Sequence, residues 1–393
     1  MQKRTRIYLD HAATTPLHPE ARQAMLPFLQ ARGEDLDEAT MDASAVCGNA
    51  SSPYEAGRTA RMAIDRARAQ VADLVGAHAD EIVFTSGGTE SDNWALLGVA
   101  LRHLDTRGHV VLSSIEHHAI LEPAHTLREI GFDVELARVD ANGIVSTDEI
   151  ARLLRPETLL VSVMAVNNEV GTIQPIQEIA RLVHEKSDAI FHCDAVQAIG
   201  KMPLDVAAFD VDLMSLSAHK FGGPKGAGAL WIRRGVRLQS LMRGGGQERG
   251  RRAGTENVPA IVGMGAAAQI AKRDLSANIA HLASLQERLE NSLRLFDGVT
   301  INGEGARRAP HITNVSLRGV RAESLALGLD LGGFAVGTGS ACASGALEPS
   351  HVLAAMGRDL KAARSALRVS LGIGNTIEEV DEFVGELKAL LKL

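Results

Sequence analysis

The stretch DLMSLSAHKFGGPKGAGALWIRR (212–234) decides the fold. Its two ends, DLMSLS and GALWIRR, are short apolar runs of strand length. Between them Pro224 and the glycines exclude both a helix and a regular strand, so the middle is a shaped turn. Small residues around His219 and Lys220 bring backbone close to something. Lys220 is then either a solvated surface amine, the usual state of lysine, or a desolvated amine with a chemical task.

Upstream, EIVFTS, HVVLSS, VELARV, LLVSVMAV and AIFHCDA repeat the apolar run, most of them separated by helix-length segments. One such segment, EAGRTARMAIDRARAQVADLVG (55–76), ends on a stop glycine at Gly76. Strands that are apolar throughout are buried on both faces. The expected architecture is therefore α/β, with a mostly parallel seven-stranded sheet between helical layers. Glycine-rich loops follow several strands, where open sheets of this kind bind ligands. After about residue 258 the pattern changes to long helices, then to the strand-like HITNVSL and ALRVSLG and a closing helix. This predicts a large domain over 20–258 and a smaller α+β domain made from 1–19 and 259–393.

The 393 residues carry a formal charge of −7, which argues against nucleic-acid or anionic-membrane partners. The longest apolar runs are of strand length, too short to span a bilayer, and MQKRTRIYLD (1–10) lacks an apolar export core. Cys47, Cys193 and Cys342 show no metal spacing and cannot all pair, which suits a reducing cytoplasm.

Three stretches at strand ends carry chemistry. TSGGTESDN (85–93) places Gly87, Gly88 and Thr89 before a helical pattern, either as an N-capped glycine turn or as a phosphate cup. IFHCDAVQ (190–197) places Asp194 at the end of a strand, as an N-cap or as the acid that pairs with a pyridinium nitrogen. Lys220 follows the third strand. Cup, acid and lysine in that order describe pyridoxal phosphate better than any one of them alone. In IEHHAIL (115–121), His117 and His118 lack any metal-binding pattern, and a ring-stacking imidazole is the better reading. In GTGSACASGALEPSHVL (337–353), Cys342 sits among small residues without periodicity, as a reactive thiol would. Cys193, inside an apolar run, fits an inert role.

YLDHAATT, FTSGGTESDN, MAVNNEVG, HCDAVQAIG, SLSAHKFGGPKG, RRAGTEN and GSACASGALEPSHVL together closely resemble the cysteine desulfurases of the first group, the NifS/IscS type. The resemblance runs from about residue 7 to about residue 385. It implies a homodimeric fold-type-I pyridoxal-phosphate enzyme that converts L-cysteine to L-alanine. The sulfur passes as a persulfide to an acceptor or iron–sulfur scaffold protein. Lys220 would hold the cofactor covalently, Asp194 would pair with its ring nitrogen, and Gln197 with its ring hydroxyl. Gly88, Thr89, Ser217 and His219 would hold the phosphate, with Thr255 arriving from a second subunit. His117 would stack on the ring, Asn168 would lie near ring and substrate, Arg368 would clamp the substrate carboxylate, and Cys342 would carry the persulfide. Selenocysteine lyase, or another aminotransferase-like enzyme of this cofactor, is the alternative.

The chain departs from the family pattern in GNASS (48–52), where proline is usual at Ala50, and at His11, where asparagine is usual. It also carries an acidic stretch, ARGEDLDEATMDASAVC (31–47), which reads as an insertion covering the cleft, docking a basic partner, or simply solvated.

Overall fold

The computed structural model describes residues 6–29, 48–338 and 349–392. Cys47, Cys342 and the acidic stretch lie outside the described residues. After a short N-terminal strand, β1 (Ile7–Tyr8), seven strands form the main sheet. They are β2 (Ile82–Thr85), β3 (His109–Ser113), β4 (Asp133–Ala137), β5 (Thr158–Ser162), β6 (Ile190–Asp194), β7 (Leu213–Ser217) and β8 (Gly228–Ile232). Their order is β2-β8-β7-β6-β5-β3-β4. Only β8 runs against the others, pairing antiparallel with β7 on one side and β2 on the other. This is the expected sheet, and its one reversed strand is the return arm of the turn that opened the sequence.

Alternation explains why these strands are apolar throughout. Met214 and Leu216 join one core cluster with Phe191, Ala229 and Trp231, while Leu213 joins another with Leu160, Leu230 and Ile232. Successive residues face opposite sides, so a sheet covered on both faces buries every one of them. Each large aliphatic side chain so buried contributes about 1.5–3 kcal/mol. The helix predicted to stop at Gly76 spans Glu55–Leu74, and Gly76 follows with φ 69°, a conformation glycine adopts without strain.

The free edge of β2 meets a buried ion pair. Arg68 donates to both carboxylate oxygens of Glu248 at 2.7 Å and to the Ile82 carbonyl at 2.9 Å. Glu248 accepts the Phe84 N–H at 3.0 Å, and the guanidinium lies 4.8 Å from the Phe84 ring centroid.

The C-terminal third builds a second sheet from β9 (Val299–Ile301), β10 (Ile312–Leu317), β12 (Gly337–Thr338) and β13 (Ala366–Ser370), ordered β12-β13-β10-β9 and antiparallel. Its core cluster includes Leu285, Leu289, Val315, Val369 and Phe383, packed from the helices Leu275–Leu293 and Ile377–Leu391. The short strand β11 (Phe334–Ala335) pairs in parallel with β1, and Asp10 bridges to Ser370. The N-terminal segment thereby runs from this sheet to the mouth of the larger one.

Candidate active site

Strand register assembles the site. Asp194 lies opposite Ser215, Ser217 opposite Gly228, and Gly228 opposite Thr85. The ends of β2, β6 and β7 therefore form one row, and the loops beyond them converge. A side chain on Gly228 would put its Cβ 2.6 Å from the Gly87 backbone, so only glycine lets the glycine turn after β2 close against β8.

That row opens into a cavity of about 320 Å³. Ten residues named from the sequence line it: Gly88, Thr89, His117, Asn168, Asp194, Gln197, Ser217, His219, Lys220 and Arg368. Thr255 does not line it; it is exposed on the segment before the helix Val258–Arg273. Cys342 is outside the described residues.

The cup is the N-terminus of the helix Gly88–Ala100, beside the Ser217 side chain. A Cβ on Gly88 would lie 2.8 Å from Val196 Cγ2, so the backbone is already seated against its neighbour. His219 meets Thr14 Oγ1 at 3.0 Å. Burial, then the Lys220 charge, lower its pKa to about 4. His117 is the N-cap of the helix His118–Glu129, accepting the Ala119 N–H at 3.1 Å. Burial and Lys220 likewise bring it to about 4, leaving a neutral ring suited to stacking.

Asp194 reconciles the two readings of a strand-end acid. It accepts the Val196 N–H at 2.8 Å, as a capping residue would, yet it is 5% exposed and faces the cavity. Burial pushes its pKa up, and the Val196 N–H and the Lys220 charge oppose this. Asp92 lines the same cavity; burial, then the Asp194 charge, raise its pKa, and its Oδ1 lies 3.8 Å from His192 Nε2. Burial also brings Glu116 up to about 8. A buried carboxyl in acidic company needs a cation beside it to stay ionised.

Lys220 Nζ donates to the Ala12 carbonyl at 2.5 Å and the Ala13 carbonyl at 2.8 Å. Gln197 Nε2 donates to the same Ala12 carbonyl at 2.8 Å, and its Oε1 lies 3.3 Å from His311 Nε2. Opposite, Arg368 on β13 donates Nη1 to the Asn168 carbonyl at 2.9 Å and Nη2 to Asp10 Oδ1 at 2.8 Å. Its Nε is buried with no hydrogen-bond partner among the described residues. Arg368 itself lines the cavity, where a guanidinium suits an anionic ligand.

The sequence reading missed Asp10, the Ala12 and Ala13 carbonyls, Asp92 and Glu116. Asp10 stood inside a quoted motif, but nothing there marked it as the partner of an arginine far away in the chain. Backbone carbonyls leave no trace in residue identity.

The departure at GNASS also has a local answer. At GNASS, Asn49 Oδ1 accepts the Ser51 N–H at 2.9 Å, and its carbonyl accepts the Ser52 N–H at 2.9 Å. Arg61 donates to the Ala50 carbonyl at 2.9 and 3.1 Å. The turn is thus tied by hydrogen bonds where proline would have restricted it.

The donor set fits pyridoxal phosphate. A helix N-terminus with hydroxyls and an imidazole suits a dianion, the buried Asp194 suits a ring N–H⁺, and Lys220 lines the same cavity. The fold and this cavity define a fold-type-I pyridoxal-phosphate-dependent enzyme. The description "Aminotransferase class-V" matches residues 7–383, and the chain belongs to that family.

A protein of Methanosarcina thermophila named cysteine desulfurase IscS is 46% identical over 375 residues, 95% of this chain and 89% of the relative. One of the same name from Dictyoglomus turgidum is 44% identical over 98% of this chain and 94% of its own. Among solved structures, a NifS-like protein superposes with a TM-score of 0.90 at 38% identity, covering 99% of this chain and 100% of that one. SspA in complex with cysteine matches with a TM-score of 0.79 at 34% identity over 94% of this chain and 99% of its own.

Proposed function

We propose that this chain is a cysteine desulfurase that converts L-cysteine to L-alanine and passes the sulfur on as a persulfide of Cys342. The observation that carries the reading is that Lys220, Asp194 and Arg368 share one cavity although they come from two different sheets. The desulfurase name of relatives that align along nearly the whole chain supports it over selenocysteine lyase and other aminotransferase-like activities.

When bound, pyridoxal phosphate supplies a protonated pyridine ring that accepts electrons from bonds at the substrate α-carbon. Gly88, Thr89, Ser217 and His219 would hold its phosphate, His117 its ring face, Asp194 its ring nitrogen and Gln197 its ring hydroxyl. Arg368 would bind the substrate carboxylate, held in place by Asp10 and the Asn168 carbonyl, with Asn168 itself beside ring and substrate. Lys220 would hold the cofactor covalently and, when free, would move a proton between substrate carbons. Cys342 takes the sulfur: a sulfur–sulfur bond forms, the carbon–sulfur bond breaks, and the β-carbon gains a proton to give alanine.

By the family resemblance Thr255, which is exposed and does not line this cavity, would reach the phosphate of a second copy, and the working unit would be a homodimer. On a division into a large domain over 20–258 and a small one from 1–19 and 259–393, the cavity would lie at their junction. The sulfur goes to an acceptor or iron–sulfur scaffold protein in the cytoplasm. Among the described residues, no helix is long and apolar enough to cross a membrane.

The test is incubation of the cofactor-loaded enzyme with L-cysteine and a reducing thiol. Alanine and sulfide should form in equal amounts. Cys342→Ser should bind cysteine, seen as a shift in cofactor absorbance, yet lose nearly all sulfide release. Transfer of the amino group to a keto acid in place of alanine formation would refute the assignment.

A further inference from the structure

The turn His11–Thr15 has two faces. Ala12 and Ala13 line the cofactor cavity, where their carbonyls accept from Lys220. His11 and Thr15, joined by a 2.6 Å hydrogen bond, line a second cavity of about 490 Å³ on the other side. Its walls include Leu17, Pro19, Phe221, Ile270 and Ile373, and its polar part includes Lys201 and Asn375.

Lys201 is 6% exposed, and its side chain makes no hydrogen bond or ion pair with any described residue. A buried ammonium without a partner is costly, and such groups are normally paired. Burial accordingly lowers its pKa to about 8, which leaves it charged at neutral pH. The cavity's carboxylate does not serve it. Glu379 Oε2 is committed to Asn375 Nδ2 at 2.8 Å and to the Thr376 N–H at 3.2 Å, at the start of the closing helix. Arg6, on the rim, pairs with Asp330 at 3.1 Å. The cavity thus presents, on a mostly buried lysine, one cation with no partner among the described residues, against mainly apolar walls, the composition of a small-molecule site with one orienting charge.

We propose that this second cavity binds a small organic carboxylate, its carboxyl group on Lys201 and its apolar body against Phe221 and Ile270. The site is separate from the substrate clamp at Arg368: no residue lines both cavities, and the turns His11–Thr15 and His219–Gly222 present residues to each.

The experiment is calorimetric titration of the cofactor-loaded enzyme at pH 7 with benzoate and with its neutral isostere benzamide. Benzoate should bind saturably to the unaltered enzyme and equally to Arg368→Ala, with benzamide at least tenfold weaker. Lys201→Met should weaken benzoate at least tenfold. It should fold with unchanged or higher Tm, because a buried unpaired charge is replaced by an apolar side chain of similar length. Asn278→Trp, at the half-buried rim, should block entry while leaving Lys201 in place. Benzoate binding that survives both Lys201→Met and Asn278→Trp, that vanishes in Arg368→Ala, or that is absent altogether would overturn the proposal.

Discussion

The two sheets serve the same cavity in different ways. The seven-stranded sheet delivers its groups from strand ends: Asp194 closes β6, Ser217 closes β7, and the cup follows β2. The four-stranded sheet delivers Arg368 from the middle of β13, flanked by buried Leu367 and Val369. Parallel strand ends come with loops whose backbone N–H groups are free to bind, so the larger sheet can hold a whole cofactor. An antiparallel strand offers only alternate side chains, and a single charge on it must be aimed by its neighbours. Asp10 and the Asn168 carbonyl do that for Arg368.

Lys220→Ala attacks the larger sheet's contribution most directly. It should lower turnover by at least about 10³-fold, since covalent anchoring and proton transfer are both lost. The absorbance of the lysine-bound cofactor should go with it, and a spectrum and an alanine assay on one sample check both. Near-normal turnover would end the reading of this turn as a lysine that holds a cofactor.

The smaller sheet is probed by Asp10→Asn. If Asp10 orients Arg368, KM for cysteine should rise about tenfold while kcat changes little, the mark of lost ground-state binding. A fall in kcat with KM unchanged would mean that Asp10 acts on the chemistry, and the contrast between the sheets would weaken.

The smallest effect concerns stability. The folded-state pKa of Glu116, raised to about 8 by burial, exceeds the ordinary carboxyl value. The folded chain therefore binds a proton there that the unfolded chain has already released, so stability falls as pH rises toward 8. Buried histidines such as His117, lowered to about 4, act in the opposite sense, but only below their ordinary value of 6.5. Between pH 6.5 and 8 the Tm of the cofactor-free protein should fall by a few degrees, and Glu116→Gln should flatten that slope. An identical slope in the variant would show that Glu116 is ionised in the fold.

The same contrast explains what could be read from the sequence. Lys220, Asp194, Gly88 and Thr89 stand where an apolar run gives way to glycines or small residues, and each signals its position without knowledge of the fold. Arg368 stands inside an ordinary strand pattern, ALRVSLG, and only the family resemblance singled it out. Asp10, Asp92 and Glu116 act through burial and through partners distant in the chain, which residue type and spacing do not encode. Ala12 and Ala13 act through carbonyl groups that every residue possesses.

The ion pair at the rim of β2 has a consequence for the protein's life among its own copies. Ile82 and Phe84 turn a carbonyl and an N–H outward from the last strand of the sheet, the groups onto which a stray strand would add. Arg68 answers the carbonyl and Glu248 the N–H, so two side chains imitate the hydrogen bonds of a neighbouring strand without being one. The sheet is closed to aggregation on that side by a guanidinium and a carboxylate.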